Sequence, residues 1–112
     1  HWNDFITKAE KAIDVDGPAF INAFAPCPRG WRYNTSDGIE ICRLAVDTCI
    51  WPLYEVVDGV WKVTYKPRKK RPVADFLKAQ GRFRHLTEEM IQEYQERVDK
   101  DWEELLKRSG EA

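Results

Sequence analysis

The 112-residue sequence contains no apolar run that approaches the roughly 20 residues required by a membrane-spanning helix. It also has almost no net charge, because it contains 18 basic and 19 acidic side chains, which give a net charge of -1. The simplest argument for nucleic acid as the principal partner would be a strongly basic domain, and the near-neutral charge removes that argument. The first four residues have neither the basic nor the apolar region of a signal peptide. There is no initiator methionine, so we expect a tag remnant, a processing site or part of a longer protein.

Cysteine is scarce, and the three that occur are Cys27, Cys42 and Cys49. An odd number without a C-x-x-C pair cannot form a complete disulfide framework. These cysteines, together with His1 and His85, also give no recognisable zinc-site spacing. A reducing cytoplasm is therefore the expected compartment.

The aromatic content is high, with five Trp, four Tyr and five Phe, and 43% of the residues are hydrophobic. This composition is sufficient to pack a core and excludes a compositionally disordered chain. The length allows one such core and excludes two full domains.

The first third of the chain has the pattern of a helix followed by a buried strand. Apolar residues between Trp2 and Ile13 recur at helical spacing, and Asp16-Gly17-Pro18 ends that helix. The almost continuously apolar run 19–25 predicts a strand buried on both faces, as in parallel sheets covered by helices. This order is typical of the end of a βαβ unit whose other strands lie upstream.

A second helix is predicted from the capping residues 35–37 to about Cys49. Asp37 and Glu40 have the spacing of a reciprocal capping pair. The stripe predicted to face the core consists of Ile39, Cys42, Val46 and Cys49.

The second half of the chain predicts a hairpin and two helices. Strands at 53–57 and 60–65 flank Asp58-Gly59, the pair that a two-residue type I′ turn favours. A short helix is predicted over 73–80, and Thr87 is the predicted N-cap of a long final helix. Acidic residues at its start and basic residues at its end suit the helix dipole.

Cys27 is the main candidate for chemistry. It follows the predicted buried strand at the edge where open α/β sheets place functional groups. Pro26 and Pro28 restrict the backbone beside it, and Gly30 lets the chain turn close by. A preset loop of this kind suits a thiolate that binds a metal, although a small buried residue in a turn is the alternative. Cys42 and Cys49 lie on a predicted helix stripe, so core packing is their expected role.

The basic run 66–71 leaves three interpretations open. It could contact phosphates, with Trp61 and Tyr65 as stacking surfaces, or it could attract an acidic protein. It could equally be a solvated loop. Trp2 and Trp102 are expected in the core, and Trp31 and Trp51 are candidates for holding a neighbouring chain or segment. His85 has no ligand partner at a suitable spacing.

Several ordered strings of the sequence are characteristic when taken together. They are Asp16–Ile21, Ala25–Tyr33, Trp51–Glu55, Tyr65–Pro67, Pro72-Val73 and Gln80–Thr87. With these strings the sequence resembles the C-terminal part of one known subunit family, the thiamine-diphosphate-binding β subunit of pyruvate:ferredoxin oxidoreductase, or pyruvate synthase.

The resemblance implies an α/β fold class. Residues 1–50 would be the C-terminal end of a doubly wound thiamine-diphosphate-binding domain, and residues 51–112 a β-hairpin and helical arm. The family oxidatively decarboxylates pyruvate, passes the acyl group to coenzyme A and sends electrons through [4Fe–4S] clusters to ferredoxin. Branched-chain 2-oxoacids are the alternative substrates.

The resemblance also implies that Cys27 is the fourth ligand of the cluster proximal to thiamine diphosphate. The family's other cluster cysteines, and its motif for Mg²⁺ and the diphosphate, are absent from this stretch. The 112 residues alone are therefore expected to be inactive, with the rest of the β subunit and other subunits as partners. A stand-alone module that binds nucleic acid or an acidic protein is the alternative.

Overall fold

A computed structural model of the chain describes residues 1–111. Its elements are five α-helices and one two-stranded antiparallel sheet, so the mixed α/β character expected from the sequence is present in this coarse form. The elements in chain order are α1 Trp2–Asp14, α2 Pro28–Trp31, α3 Gly38–Asp47, β1 Tyr54–Val57, β2 Val60–Val63, α4 Val73–Lys78 and α5 Glu88–Arg108. Two 3₁₀ turns, Thr35–Asp37 and Gly81–Phe83, precede α3 and follow α4.

The predicted hairpin is confirmed. Strand β1 pairs with β2 in the register that sets Tyr54 opposite Val63 and Val57 opposite Val60. The two turn residues, Asp58 and Gly59, have φ angles of 50° and 78°. Both residues are thus left-handed, as a type I′ turn requires.

The core lies where α3, α4 and α5 meet, and its buried members include Ile41, Leu44, Val73, Leu77 and Ile91. The stripe predicted for α3 is wrong at two of its four positions. Ile39 is 71% exposed and Cys42 is only half-buried, whereas Val46 and Cys49 are buried. The series from Ile41 through Leu44 and Ala45 has helical spacing too, and this series faces the core.

The predicted cap of α3 is also absent, because the Asp37 side chain makes no capping hydrogen bond. A 3₁₀ turn leads directly into the helix and replaces the extended N-cap geometry that such a bond needs. For α5 the predicted cap is confirmed, since the Thr87 hydroxyl accepts a hydrogen bond from the Met90 amide at 3.2 Å.

The basic run 66–71 lies against α5 and is partly neutralised by acidic side chains of the same chain. Lys66 pairs with Glu111 near the end of α5, and Lys70 pairs with Asp99 in its middle. Burial tends to raise the pKa of the Asp99 carboxyl, but hydrogen bonds from Lys70 and Gln95 outweigh it and lower that pKa. Ion pairs within the chain thus neutralise part of the positive charge of the run 66–71.

The strand predicted over residues 19–25 is wrong for this chain. The range forms neither a helix nor a strand and pairs with no strand among residues 1–111, and Phe20 is 88% exposed. A strand needs hydrogen-bonded neighbours, and burial on both faces needs cover that the described residues do not provide. Within the range, Phe24 packs against the core.

Helix α1 forms where its periodicity predicts it, but none of its residues is buried. Trp2, expected in the core, is 70% exposed, and Phe5 and Ile6 on the same helix are also largely exposed. The helical spacing therefore predicted α1 correctly, but it did not predict that the apolar side of α1 would be exposed. Trp102 on α5 does pack against the core, as expected.

The fold makes a direct prediction about the core. Leu77 is 1% exposed, so Leu77→Ala should lower the free energy of unfolding by about 2–5 kcal/mol through lost contacts and a residual cavity. The matched control is Ile39→Ala, which should change it by no more than about 0.5 kcal/mol because that side chain is exposed. Urea unfolding followed by Trp fluorescence measures both. A larger loss from the Ile39 variant would contradict the packing described here.

Candidate functional site

Cys27 is the residue immediately before the short helix α2. Its backbone is extended, with φ -120° and ψ 102°, and its carbonyl accepts a hydrogen bond from the Trp31 amide at 2.9 Å. Pro28 occupies the first helical position, where a missing amide hydrogen costs nothing. The side chain of Cys27 is exposed. The thiol is thus exposed beside a short helix, whereas the strand end at which the sequence placed it does not form. The ligand role of Cys27 stays a prediction.

Gly30 leaves space beside the sulfur. A Cβ atom added at Gly30 would lie 3.5 Å from the Cys27 Sγ, in van der Waals contact with it. With glycine at this position, a group bound to the thiolate can approach that side of the sulfur without meeting a side chain.

A close backbone contact clamps the Cys27 loop to the connection between α4 and α5. The Gly81 amide donates to the Arg32 carbonyl at 2.8 Å. A Cβ added at Gly81 would lie only 2.8 Å from the Arg32 Cβ, which is closer than real atoms approach. Arg32 itself is left-handed, with φ 59°, so the chain reverses sharply just after α2. We call this contact the Arg32–Gly81 clamp.

Aromatic packing fixes the other side of the loop. The Arg82 guanidinium lies 4.0 Å from the centre of the Trp31 ring, within the range of a cation–π contact. The Phe24 ring packs against both Trp31 and Trp51, with centroid separations of 5.4 Å in each case. The two tryptophans thus hold a segment of their own chain, which is one of the two roles expected for them.

Tyr33 is a functional candidate that the sequence reasoning missed. Its amide donates to the Pro28 carbonyl at 3.2 Å, which ties it to α2. Its hydroxyl is buried and has no hydrogen-bond partner within residues 1–111. Burial raises the pKa of the Tyr33 hydroxyl, and the nearby Cys42 and Cys27 thiols raise it further. A tyrosine following a Cys-containing loop was the available signal, but only the structure shows an unpaired donor.

The other two cysteines differ from Cys27 in their surroundings. Cys42 is half-buried on α3, and burial raises the pKa of its thiol. Cys49 is buried just beyond α3, and burial raises the pKa of its thiol to about 11. The predicted core role is therefore confirmed for Cys49. His85 is exposed.

The described residues could supply only part of a metal site. No group of three or more His, Cys, Asp and Glu side chains in the range 1–111 is arranged to hold a metal ion. Cys27 nevertheless suits one ligand position, because its thiol is exposed and Gly30 leaves room beside it. A metal centre at Cys27 would therefore need further ligands from outside these residues. No helix over the same range is long and apolar enough to cross a bilayer.

Comparison with known proteins decides the family. The chain is 54% identical over 92% of its length to pyruvate synthase subunit PorB of Thermotoga maritima. It is 49% identical over 91% of its length to the PorB subunit of Methanothermobacter marburgensis. The chain matches a C-terminal fragment of the pyruvate synthase subunits named PorB. The family resemblance recognised from the sequence strings is thereby confirmed.

The PorB likeness extends to a related oxidoreductase subunit. The chain is 48% identical over 93% of its length to ketoisovalerate oxidoreductase subunit VorB of Pyrococcus furiosus. In each of these three cases it spans about one third of the relative's own length, namely 33–35%. No protein-family model matches the chain. The relatives are subunits of oxidoreductases, which agrees with the enzyme class expected from the sequence.

Differences in exposure and thiol pKa predict an order of cysteine reactivity. With a pKa of about 11, the buried Cys49 is about one part in a thousand thiolate at pH 8. Iodoacetamide should therefore modify the exposed Cys27 first and Cys49 last, as peptide mass spectrometry of the folded protein would show. Raising the pH toward 11 should speed the Cys49 reaction. Equal rates for the two thiols at pH 8 would contradict the structure.

The Arg32–Gly81 clamp predicts an unusually costly glycine substitution. Gly81→Ala places a methyl group against Arg32, so the free energy of unfolding should fall by about 1–3 kcal/mol. Gly30→Ala is the matched control, because its added methyl group meets Cys27 at an ordinary contact distance. Chemical denaturation of both variants measures the difference. A Gly81 variant as stable as the Gly30 variant would show that the clamp does not constrain the loop.

Proposed function

We propose that this chain is the part of a 2-oxoacid:ferredoxin oxidoreductase β subunit that supplies one ligand to a [4Fe–4S] cluster, through the thiolate of Cys27. The observation that carries the proposal is the exposed Cys27 thiol on a clamped loop, in a chain 54% identical to a pyruvate synthase subunit. A cysteine thiolate is the usual ligand of such clusters, and four are usually needed. The other three would come from residues outside this stretch.

In this role the chain's own residues would determine where the Cys27 sulfur lies. Extended backbone at Cys27, Pro28 at the start of α2 and the Arg32–Gly81 clamp restrict where the sulfur can lie. Phe24 packs on Trp31 at the end of α2, and the Arg82 guanidinium lies over the same Trp31 ring. Apolar cover of this kind would affect the potential of a metal group. When bound, a [4Fe–4S] cluster would supply one-electron transfer to ferredoxin, and thiamine diphosphate with Mg²⁺ the carbon chemistry on the 2-oxoacid.

The division of the chain follows from the same proposal. Residues 1–50 would be the end of the thiamine-diphosphate-binding domain, and residues 51–112 an arm that contacts the rest of the enzyme. The exposed apolar residues of α1 and the exposed Phe20 support the first part of this assignment, because these surfaces find no cover within residues 1–111. The partners would be the remainder of the β subunit and the other subunits, in the reducing cytoplasm.

Pyruvate is the proposed substrate, with transfer of the acyl group to coenzyme A. The relatives include subunits named for pyruvate and for ketoisovalerate at 54% and 48% identity. Branched-chain 2-oxoacids therefore remain the alternative substrates. The nucleic-acid alternative has less support, because Lys66, Lys70 and Arg71 of the basic run form ion pairs within the chain.

The ligand role predicts a selective loss of one cluster. In the complete oxidoreductase, purified without oxygen, Cys27→Ala should remove the signal of one [4Fe–4S] cluster and slow ferredoxin reduction by at least roughly tenfold, since a thiolate ligand is lost. Iron analysis, electron paramagnetic resonance and ferredoxin reduction measure the three effects.

Cys42→Ala is the matched control, because it removes a thiol from α3 while leaving the Cys27 loop intact. It should keep the wild-type iron content and electron transfer. A Cys27 variant with wild-type iron, spectra and ferredoxin reduction would overturn the ligand assignment.

A further inference from the structure

Each of the two segments that the Arg32–Gly81 clamp joins carries two arginines, and we call these four residues the arginine cluster. Its members are Arg29, Arg32, Arg82 and Arg84. The two segments, residues 25–33 and 81–87, contain no Asp or Glu. The clamp therefore joins two cationic segments that are far apart in the sequence, and neither brings an acidic side chain with it.

Backbone and ring contacts fix the positions of the cluster. The Gly81 amide donates to the Arg32 carbonyl at 2.8 Å, and the Arg84 amide donates to the Gly81 carbonyl at 3.2 Å. The Arg82 guanidinium lies 4.0 Å from the centre of the Trp31 ring. The other three arginines of the cluster are exposed. Their charges are thus presented to solvent from a backbone that the clamp holds in place.

The chain does not neutralise the charge of the cluster. None of its four arginines forms an ion pair with an acidic side chain among residues 1–111. The basic run 66–71 differs, because most of its cations are paired within the chain. Arg43 on α3 differs as well, because Glu40 and Asp47 lie about one helical turn away from it. An unneutralised group of cations attracts an acidic partner and speeds its association.

A small pocket adjoins the cluster. Its volume is about 290 Å³, and its lining includes the apolar side chains of Leu77, Phe83 and Leu86 together with Gly81 and Arg84. Protein interfaces commonly combine an apolar anchor in such a pocket with a polar rim. The pocket can therefore accept an apolar side chain while Arg84 binds a carboxylate beside it.

We propose that the arginine cluster and the adjoining pocket form the docking surface for ferredoxin, an acidic electron carrier. The inference rests on the proposed function and adds the place where the electron acceptor binds. A carrier docked here would lie against the loop that holds the proposed cluster ligand, Cys27. Transient redox partners use small interfaces, whereas permanent subunits need larger apolar ones, such as the exposed side of α1. The charged character of the cluster therefore favours a transient carrier over a permanent subunit.

The test measures the Kd of oxidised ferredoxin for the complete oxidoreductase by calorimetry, without oxygen, at low and high salt. The double variant Arg29→Glu/Arg84→Glu should raise the Kd at least roughly tenfold at low salt, because the introduced charges repel an acidic partner. The effect should shrink at high salt, since exposed charges are screened. A wild-type Kd at low salt would overturn the inference.

The matched control is the double variant Arg68→Glu/Lys69→Glu, which makes the same change of charge on the basic run. These two side chains are exposed and form no ion pair within the described residues. The control should change the Kd by less than about twofold, because the altered charges lie away from the docked carrier. Equal effects of the two double variants would show a response to overall charge and would also overturn the inference.

A second readout separates lost docking from lost structure. Reduction of methyl viologen, a small acceptor that needs no protein surface, should keep its wild-type rate in the arginine variant. If that variant fails to assemble, the single substitutions Arg29→Gln and Arg84→Gln decide the question, and each should raise the Kd about two- to fivefold. An unchanged Kd in both would overturn the inference, as would loss of another subunit from the purified variant.

Failure of the proposed function itself would look different. The wild-type oxidoreductase would then not reduce ferredoxin, and Cys27→Ala would retain every cluster signal. Failure of the docking inference alone would leave ferredoxin reduction and the loss of a cluster in Cys27→Ala intact, while the arginine variants bind ferredoxin as the wild type does.

Discussion

The close approach of Gly81 to Arg32 is the contact on which the geometry of the candidate site depends. A hydrogen bond of 2.8 Å joins the two backbones, and no side chain fits between them at Gly81. Gly81 directly follows Gln80, which is itself buried and bonded back to the Phe76 carbonyl of α4. The loop that carries Cys27 is therefore connected to the helical core by the backbone hydrogen bond at Gly81, and the side-chain amide of Gln80 ties the preceding residue to α4. This connection restricts the positions that the loop can take.

Local signals in the sequence were sufficient for most of the elements. The type I′ turn at Asp58-Gly59 and the cap at Thr87 depend on residues only two or three positions apart, and both form as expected. Predictions that depend on a partner distant in the sequence were less accurate. The apolar run 19–25 has the composition of a buried strand, but without a neighbouring strand it forms none and stays largely exposed. Composition indicates what a segment can bury, and only its surroundings decide whether it does.

The candidate site was predictable only in part for the same reason. Cys27 could be identified from its flanking prolines, because they act on the adjacent backbone. Gly81 could not, since its role arises from a contact with Arg32 that is made only after the chain has folded. The misassigned stripe on α3 is a related case. Two helical series of apolar residues are available there, and the packing of α4 and α5 selects the one that contains Ile41.

The two parts of the chain differ in a way that supports a role inside a larger enzyme. The part from α3 onward has its own core, and Cys27 is joined to that core through Trp31 and the Arg32–Gly81 clamp. The part before Cys27 exposes apolar side chains from α1 and from Phe20 that a stable surface would normally cover. In the proposed ligand role, Cys27 would lie at the boundary between the two parts, which suits a cluster shared with other residues of the subunit. The part from α3 onward would hold the sulfur, and the part before Cys27 presents apolar surface that the rest of the subunit would cover.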